Sequence, residues 1–174
     1  MADARLEDGL IRAMRNYLSL VVRDMRAKMA TGGASPHRNM NASGESRKQI
    51  RFDIKGGPNQ IIGIIYGPEH MDALEKGRGP GRAPSMKAIR EWIDHKGIIP
   101  KGDISKDSLA FLIQRSIKEK GTRMHQQNHR SGILSETLKR DRRLTFFAEA
   151  MDQGQLSIRS NLYPKLHAID PQTP

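Results

Sequence analysis

Two carboxylate pairs, Glu69 with Glu75 and Glu91 with Asp94, are the residue types from which a general acid and base could be made. Two histidines, His125 and His129, stand four apart, as two metal ligands on one helix face would. Each constellation has a plainer reading. The carboxylates lie among lysines and arginines, which predicts solvated ion partners. The histidines have no Glu, Cys or third His at a suitable offset, which predicts exposed polar side chains. No Gly-x-Ser-x-Gly or comparable nucleophile motif occurs, and no Ser/His/Asp arrangement is evident. The expectation is a protein that is not an enzyme and holds no metal and no cofactor.

Binding chemistry is better represented. The stretch Tyr66 to Gly97 contains a loop, Lys76-Gly77-Arg78-Gly79-Pro80-Gly81-Arg82-Ala83-Pro84, that combines close-approaching glycines, stiff prolines and two guanidinium groups. It has neither the phosphate-loop spacing nor the dinucleotide fingerprint, and no Gly-Lys-Ser/Thr ending. Such a loop suits contact with an acidic group of a neighbouring subunit or with nucleic acid. A second basic cluster, Lys139, Arg140, Arg142 and Arg143 around Asp141, suits phosphate contact without sequence readout, or pairing with acidic residues of a neighbour.

Both features sit in a basic chain. The 174 residues carry a formal net charge of +11, and from Lys101 to Arg143 eleven Lys or Arg face five acids. Such a balance favours acidic partners, or a solvated basic surface. Hydrophobic residues make up 36% and aromatics 5%, enough for a small core. The absence of cysteine rules out disulfides and thiolate metal sites and fits a reducing cytoplasm. Charges run throughout Met1 to Ala30 and no long apolar run exists, so neither a membrane span nor a secretory leader is expected.

The elements that must position these residues follow from periodicity. Leu10, Met14, Tyr17 and Val21, with Ile11, Leu18, Val22 and Met25, predict an amphipathic helix over 4–29, whose stripe packs on the domain's own sheet or, as the alternative, docks a partner helix. Residues 31–47 read as a flexible linker or arm. Ile50 to Lys55 alternates as a half-buried strand, Gly56 to Asn59 turns, and Ile61 to Tyr66 returns as a more buried strand. Gly63 predicts a bulge or a close approach by another backbone. After the loop, Ser85 caps a helix ended by Gly97, with Ile89, Trp92 and Ile93 expected in the core. Ser105 caps another, with Leu109, Leu112, Ile113 and Ile117 inward and Gly121 at its end. Thr122 to Ser135 reads as a connection of low apolar content. Leu144, Phe147, Met151, Gln155, Ile158 and Leu162 define a face of a last helix, weakened by Gly154 and stopped by Pro164, before an extended tail. The chain therefore divides as 1–30 helix, 31–47 linker, 48–125 core domain with the basic loop, and 126–174 connection, C-terminal helix and tail. The fold class is α+β, a β-hairpin packed against several helices.

One resemblance is carried by linked motifs. Leu74 to Pro84, then Ile89, Trp92-Ile93 and Lys96-Gly97-Ile98, together with Asn41-Ala42-Ser43-Gly44, Phe111-x-Ile113 and Lys120-Gly121-Thr122, resembles the neck or tail-completion proteins of tailed bacteriophages of the lambdoid type. Relatives of that family occur in phages of Bacteroides-like hosts. The likeness covers roughly residues 40 to 125, and the long C-terminal helix departs from the family's shorter members. It implies a structural virion protein, assembled in the host bacterial cytoplasm as a homo-oligomeric ring between portal and tail, around the DNA channel. Portal or adaptor and tail proteins would be its partners. Lys76, Gly77, Arg78, Gly79, Pro80, Gly81, Arg82, Lys139, Arg140, Arg142 and Arg143 would then be inter-subunit or DNA-channel contacts. From composition alone the competing expectation is a cytoplasmic nucleic-acid-binding module acting through the basic centre.

Overall fold

The computed structural model describes residues 2–31, 42–57 and 60–167, with side chains placed over 9–31, 42–56 and 60–153. The order is α1 (Ala2–Thr31), α2 (Glu45–Gln49), β1 (Arg51–Gly57), β2 (Gln60–Tyr66), α3 (Met71–Lys76), α4 (Met86–His95), α5 (Lys106–Lys120), α6 (Arg123–Gln126) and α7 (Arg140–His167). With one two-stranded antiparallel sheet, a long N-terminal helix and a C-terminal helix, the fold is α+β as expected. None of these helices is long and apolar enough to cross a membrane.

Two units make up the chain. The first contains residues 1–23, 52–66 and 138–174, hence most of α1, the hairpin and α7. In β1 the alternation predicted from sequence holds: Phe52 and Ile54 are half-buried between exposed Arg51, Asp53 and Lys55. β2 is less buried than expected, with Ile62 and Tyr66 exposed, because two strands have no second layer to cover their other face. A Cβ on Gly63 would stand 2.8 Å from Leu18 Cδ1 and 3.1 Å from Met14 Sδ. The close approach is therefore by side chains of α1 rather than by another backbone. Leu18, Leu20, Val21 and Val22 are buried, as are Phe146 and Ala150 of α7. Leu144, Phe147 and Met151, the face expected to pack, are exposed. Both stripes have helical spacing, and periodicity alone does not say which one the core takes. α7 also continues through Gly154 and Pro164 to His167. A proline's fixed φ is compatible with helix, and near a terminus the lost hydrogen bond interrupts little.

The second unit, residues 24–51 and 67–137, holds the last turns of α1 and the elements α2 to α6. Ser85 Oγ accepts from Ala88 N at 3.1 Å and Ser105 Oγ from Ser108 N at 3.1 Å, so α4 and α5 start where local capping dictates. Ile89, Ile93 and Ala110 form a core joined by Leu109, Ile113 and Ile117. Trp92 is corrected from the expected core position, being 41% exposed, and Leu112 likewise is exposed. Arg26 clamps the Ile50 carbonyl with two bonds, from Nε at 3.0 Å and Nη2 at 2.6 Å. The segment expected to be a bare connection, Thr122 to Ser135, instead contributes buried Met124, Ser131 and Ile133. Thr137, also buried, donates to Asp24 Oδ2 at 2.8 Å and accepts from Lys28 Nζ at 3.0 Å. Most of the linker expected over 31–47, the Pro58-Asn59 turn, the side chains of Gln155, Ile158 and Leu162, and the tail from Asp170 lie outside the described residues. Within 42–49, Glu45 to Gln49 is helical.

Candidate interaction surface

The basic loop meets its own chain first. Gly77, at φ +77°, lies so close to the start of α6 that a Cβ would come within 2.5 Å of His125 N and 2.7 Å of Thr122 Oγ1. Gly121, at φ +78°, would place a Cβ 2.6 Å from Arg78 O. Only glycine satisfies both the left-handed backbone and the approach. The two strands of chain are then stitched: Thr122 N donates to Arg78 O at 2.8 Å, Arg78 N to Thr122 Oγ1 at 2.9 Å, and Gly81 N to Lys118 O at 2.9 Å. The loop's glycines serve an internal junction between residues 77–81 and 118–125.

The same junction is held from the other side by Glu75, which is 2% exposed rather than the solvated partner expected. Its Oε2 accepts from Ser131 Oγ and Leu134 N, both at 2.9 Å, and its Oε1 from Ser135 N at 3.2 Å and Ser135 Oγ at 2.5 Å. Ser131 N in turn donates to Glu75 O at 2.8 Å. Burial on its own raises the Glu75 pKa, but the hydrogen bonds from Leu134, Ser135 and Ser131 outweigh it, and the net shift is downward. A carboxylate so satisfied is a strap between α3 and the 131–135 segment, not a free acid or base. Its serine partners went unread in the sequence. The signal was Ser131-Gly132-x-x-Ser135, two hydroxyls bracketing a glycine at capping distance.

Glu69 is exposed and makes no ion pair among the described residues, whereas Glu91 and Asp94 are ion partners. Asp94 pairs with Lys106, Asp107 with Arg90 at 2.7 Å, and Glu91 with Lys87 at 3.9 Å. α6 ends at Gln126, so His125 and His129 do not share a helix face, and no group of three potential metal ligands occurs among the described residues. Near the start of α5, Asp103, Ile104, Asp107, Ser108, Phe111 and Leu112 line an open groove of about 550 Å³.

The basic side chains fall into two places. Lys76 is tied to Asp72 at 2.7 Å, and Arg78 turns its guanidinium back onto Arg82 O at 2.6 Å, while Pro80, Gly81 and Arg82 are exposed. The junction brings this loop, including Gly79, whose Cβ would lie 3.3 Å from the His125 ring, against the basic end of α5 and α6. Lys139, Arg140, Arg142 and Arg143 are exposed too, but belong to the other unit, where Arg142 lies 4.9 Å over the Phe146 ring. No protein-family model, no curated protein and no solved structure matches the chain.

Proposed function

We propose that the chain is a structural virion protein of a tailed bacteriophage, a ring-forming neck or tail-completion component joining portal and head to tail around the DNA channel. The observation that carries the reading is that each unit leaves an apolar surface open. In the first, Ile62 and Tyr66 of the hairpin and Leu144, Phe147 and Met151 of α7 are exposed. In the second, Trp92, Ile99, Ile104, Phe111 and Leu112 are exposed. Of these, Ile104, Phe111 and Leu112 line one open groove, and Leu144, Phe147 and Met151 recur at helical spacing on one face of α7. A closed ring uses head-to-tail contacts, which require two different surfaces on one subunit, and two are present. The family resemblance of the 74–98 motifs supplies the phage and the ring.

The test is the mass of the purified chain by light scattering after size exclusion, alone and with portal or adaptor protein. Discrete multimers, or a monomer that becomes a ring only with those partners, support the proposal. A monomer indifferent to salt and to those partners that nevertheless binds duplex DNA tightly overturns it in favour of a nucleic-acid-binding module.

A further inference from the structure

The junction between the glycine loop and the α5–α6 segment has a chemical consequence at its surface. It joins two basic segments far apart in sequence, 77–85 and 116–130, through backbone contacts at Gly77, Gly79 and Gly121. Arg82, Lys118, Lys120, Arg123 and Arg130 are all exposed there. Several cations elsewhere in the unit are neutralised in place, Lys76 by Asp72, Lys87 by Glu91, Arg90 by Asp107 and Lys106 by Asp94, while Arg47 and Lys101 stand singly, away from the two segments. No salt bridge among the described residues takes up the five. The two segments contain one acid, Glu119, and its carboxylate is occupied by Arg115 at 2.8 Å. Five exposed cations without an ion pair thus fall in the two segments that the junction joins, the concentration of positive charge a polyanion site requires.

We infer that Arg82, Lys118, Lys120, Arg123 and Arg130 form a docking surface for the phosphate backbone of duplex nucleic acid. Neither segment contains Phe, Tyr or Trp on which unpaired bases would stack, which favours a duplex over a single strand. Contacts made by lysine and arginine to phosphate position a duplex without reading its sequence. Arg78 is left out of the five because it is half-buried and its guanidinium is folded back onto the Arg82 carbonyl. The inference rests on the assembly reading only for where the duplex would lie in the particle; the contact itself is made by one copy.

Five phosphate contacts predict a log K against log salt slope of about −4.5, a loss of roughly 500-fold between 50 and 200 mM salt. The experiment is fluorescence anisotropy of labelled 25-bp duplexes of two unrelated sequences with the full chain across that salt range. Equal affinity for both duplexes and a slope near that value are expected. Lys118→Gln/Lys120→Gln/Arg123→Gln should flatten the slope by about 3, at about 0.9 per lost contact. Lys118→Arg/Lys120→Arg/Arg123→Lys should restore it, which a merely structural defect would not allow. Lys48→Gln/Lys87→Gln, at exposed cations already paired with Glu45 and Glu91, should leave the slope unchanged. Wild-type binding by the triple glutamine variant, or an equal loss of slope with the Lys48/Lys87 variant, overturns the inference. Light scattering on the same samples separates the two proposals: a multimer that ignores duplex sinks this one, and a duplex-binding monomer that ignores portal and adaptor sinks the ring.

Discussion

Glu75 shows how much a single residue's role depends on residues its neighbours in sequence do not reveal. Between Leu74 and Lys76 it reads as a surface acid; Ser131 and Ser135, 56 and 60 positions away, make it a buried strap. Glu75→Gln keeps the shape but replaces one acceptor oxygen with a donor group facing hydroxyls and amides. At pH 7 it should lower unfolding free energy by about 2–4 kcal/mol, read by urea denaturation. The pH dependence has a definite sign. Because the folded pKa lies below the ordinary value of 4.5, the carboxylate's stabilisation is complete above that value. It disappears as pH falls from 4.5 through the lower folded value, so the gap between wild type and Glu75→Gln should narrow on that acid limb. A gap that stays constant down to acid would show that the carboxylate's charge is irrelevant. Gly121→Ala belongs to the same scale. It combines a left-handed φ with a methyl 2.6 Å from a carbonyl oxygen, and should cost about 2 kcal/mol or more in the same assay.

At the scale of elements, what was legible was what is decided locally. Ser85 and Ser105 cap their helices because a serine before an apolar-periodic run satisfies N–H groups within three residues. The hairpin follows from alternation, and Gly97 and Gly121 end helices because they take positive φ. What was not legible was which apolar face each helix buries. Trp92 shares spacing with Ile89 and Ile93, and Leu144 with Phe147, yet the core takes Ile89 and Ile93 in one helix and Phe146 with Ala150 in the other. The short α3 was hidden because Met71 to Lys76 has too few residues for periodicity to show. The loop reads from sequence as a contact element; Gly77 and Gly79 lie against Thr122 and His125 of the same chain, a packing role that spacing does not reveal, while Gly81 faces open space. One element offers a gain. Gly9 lies inside α1 with open space where a Cβ would go, so Gly9→Ala should stabilise the chain by about 0.5–1 kcal/mol, seen as a raised thermal midpoint.

For the whole molecule, apolar surface and net charge respond to salt with opposite signs. A chain of net charge +11 repels copies of itself at low ionic strength, and salt screens that repulsion while leaving apolar contact intact. Self-association through Leu144, Phe147 and Met151, or through Phe111 and Leu112, should therefore increase from 50 to 500 mM salt. Binding through lysine and arginine to phosphate should decrease over the same range. Light scattering against salt reads the first; association that dissolves as salt rises would mean that ion pairs, not apolar faces, hold the copies together.

The bond from Thr137 to Asp24 spans 113 residues of sequence, and that from Lys28 to Thr137 spans 109. Synthesis runs from one end, so α1 is made long before the segment that closes on it. At roughly 5–20 residues per second, the 109 residues that follow Lys28 take about 5–20 s to appear. Throughout that interval Asp24 and Lys28, 3.0 Å apart, lack the Thr137 hydroxyl that joins them in the finished protein. The last turns of α1 are thus completed seconds after the helix itself is made.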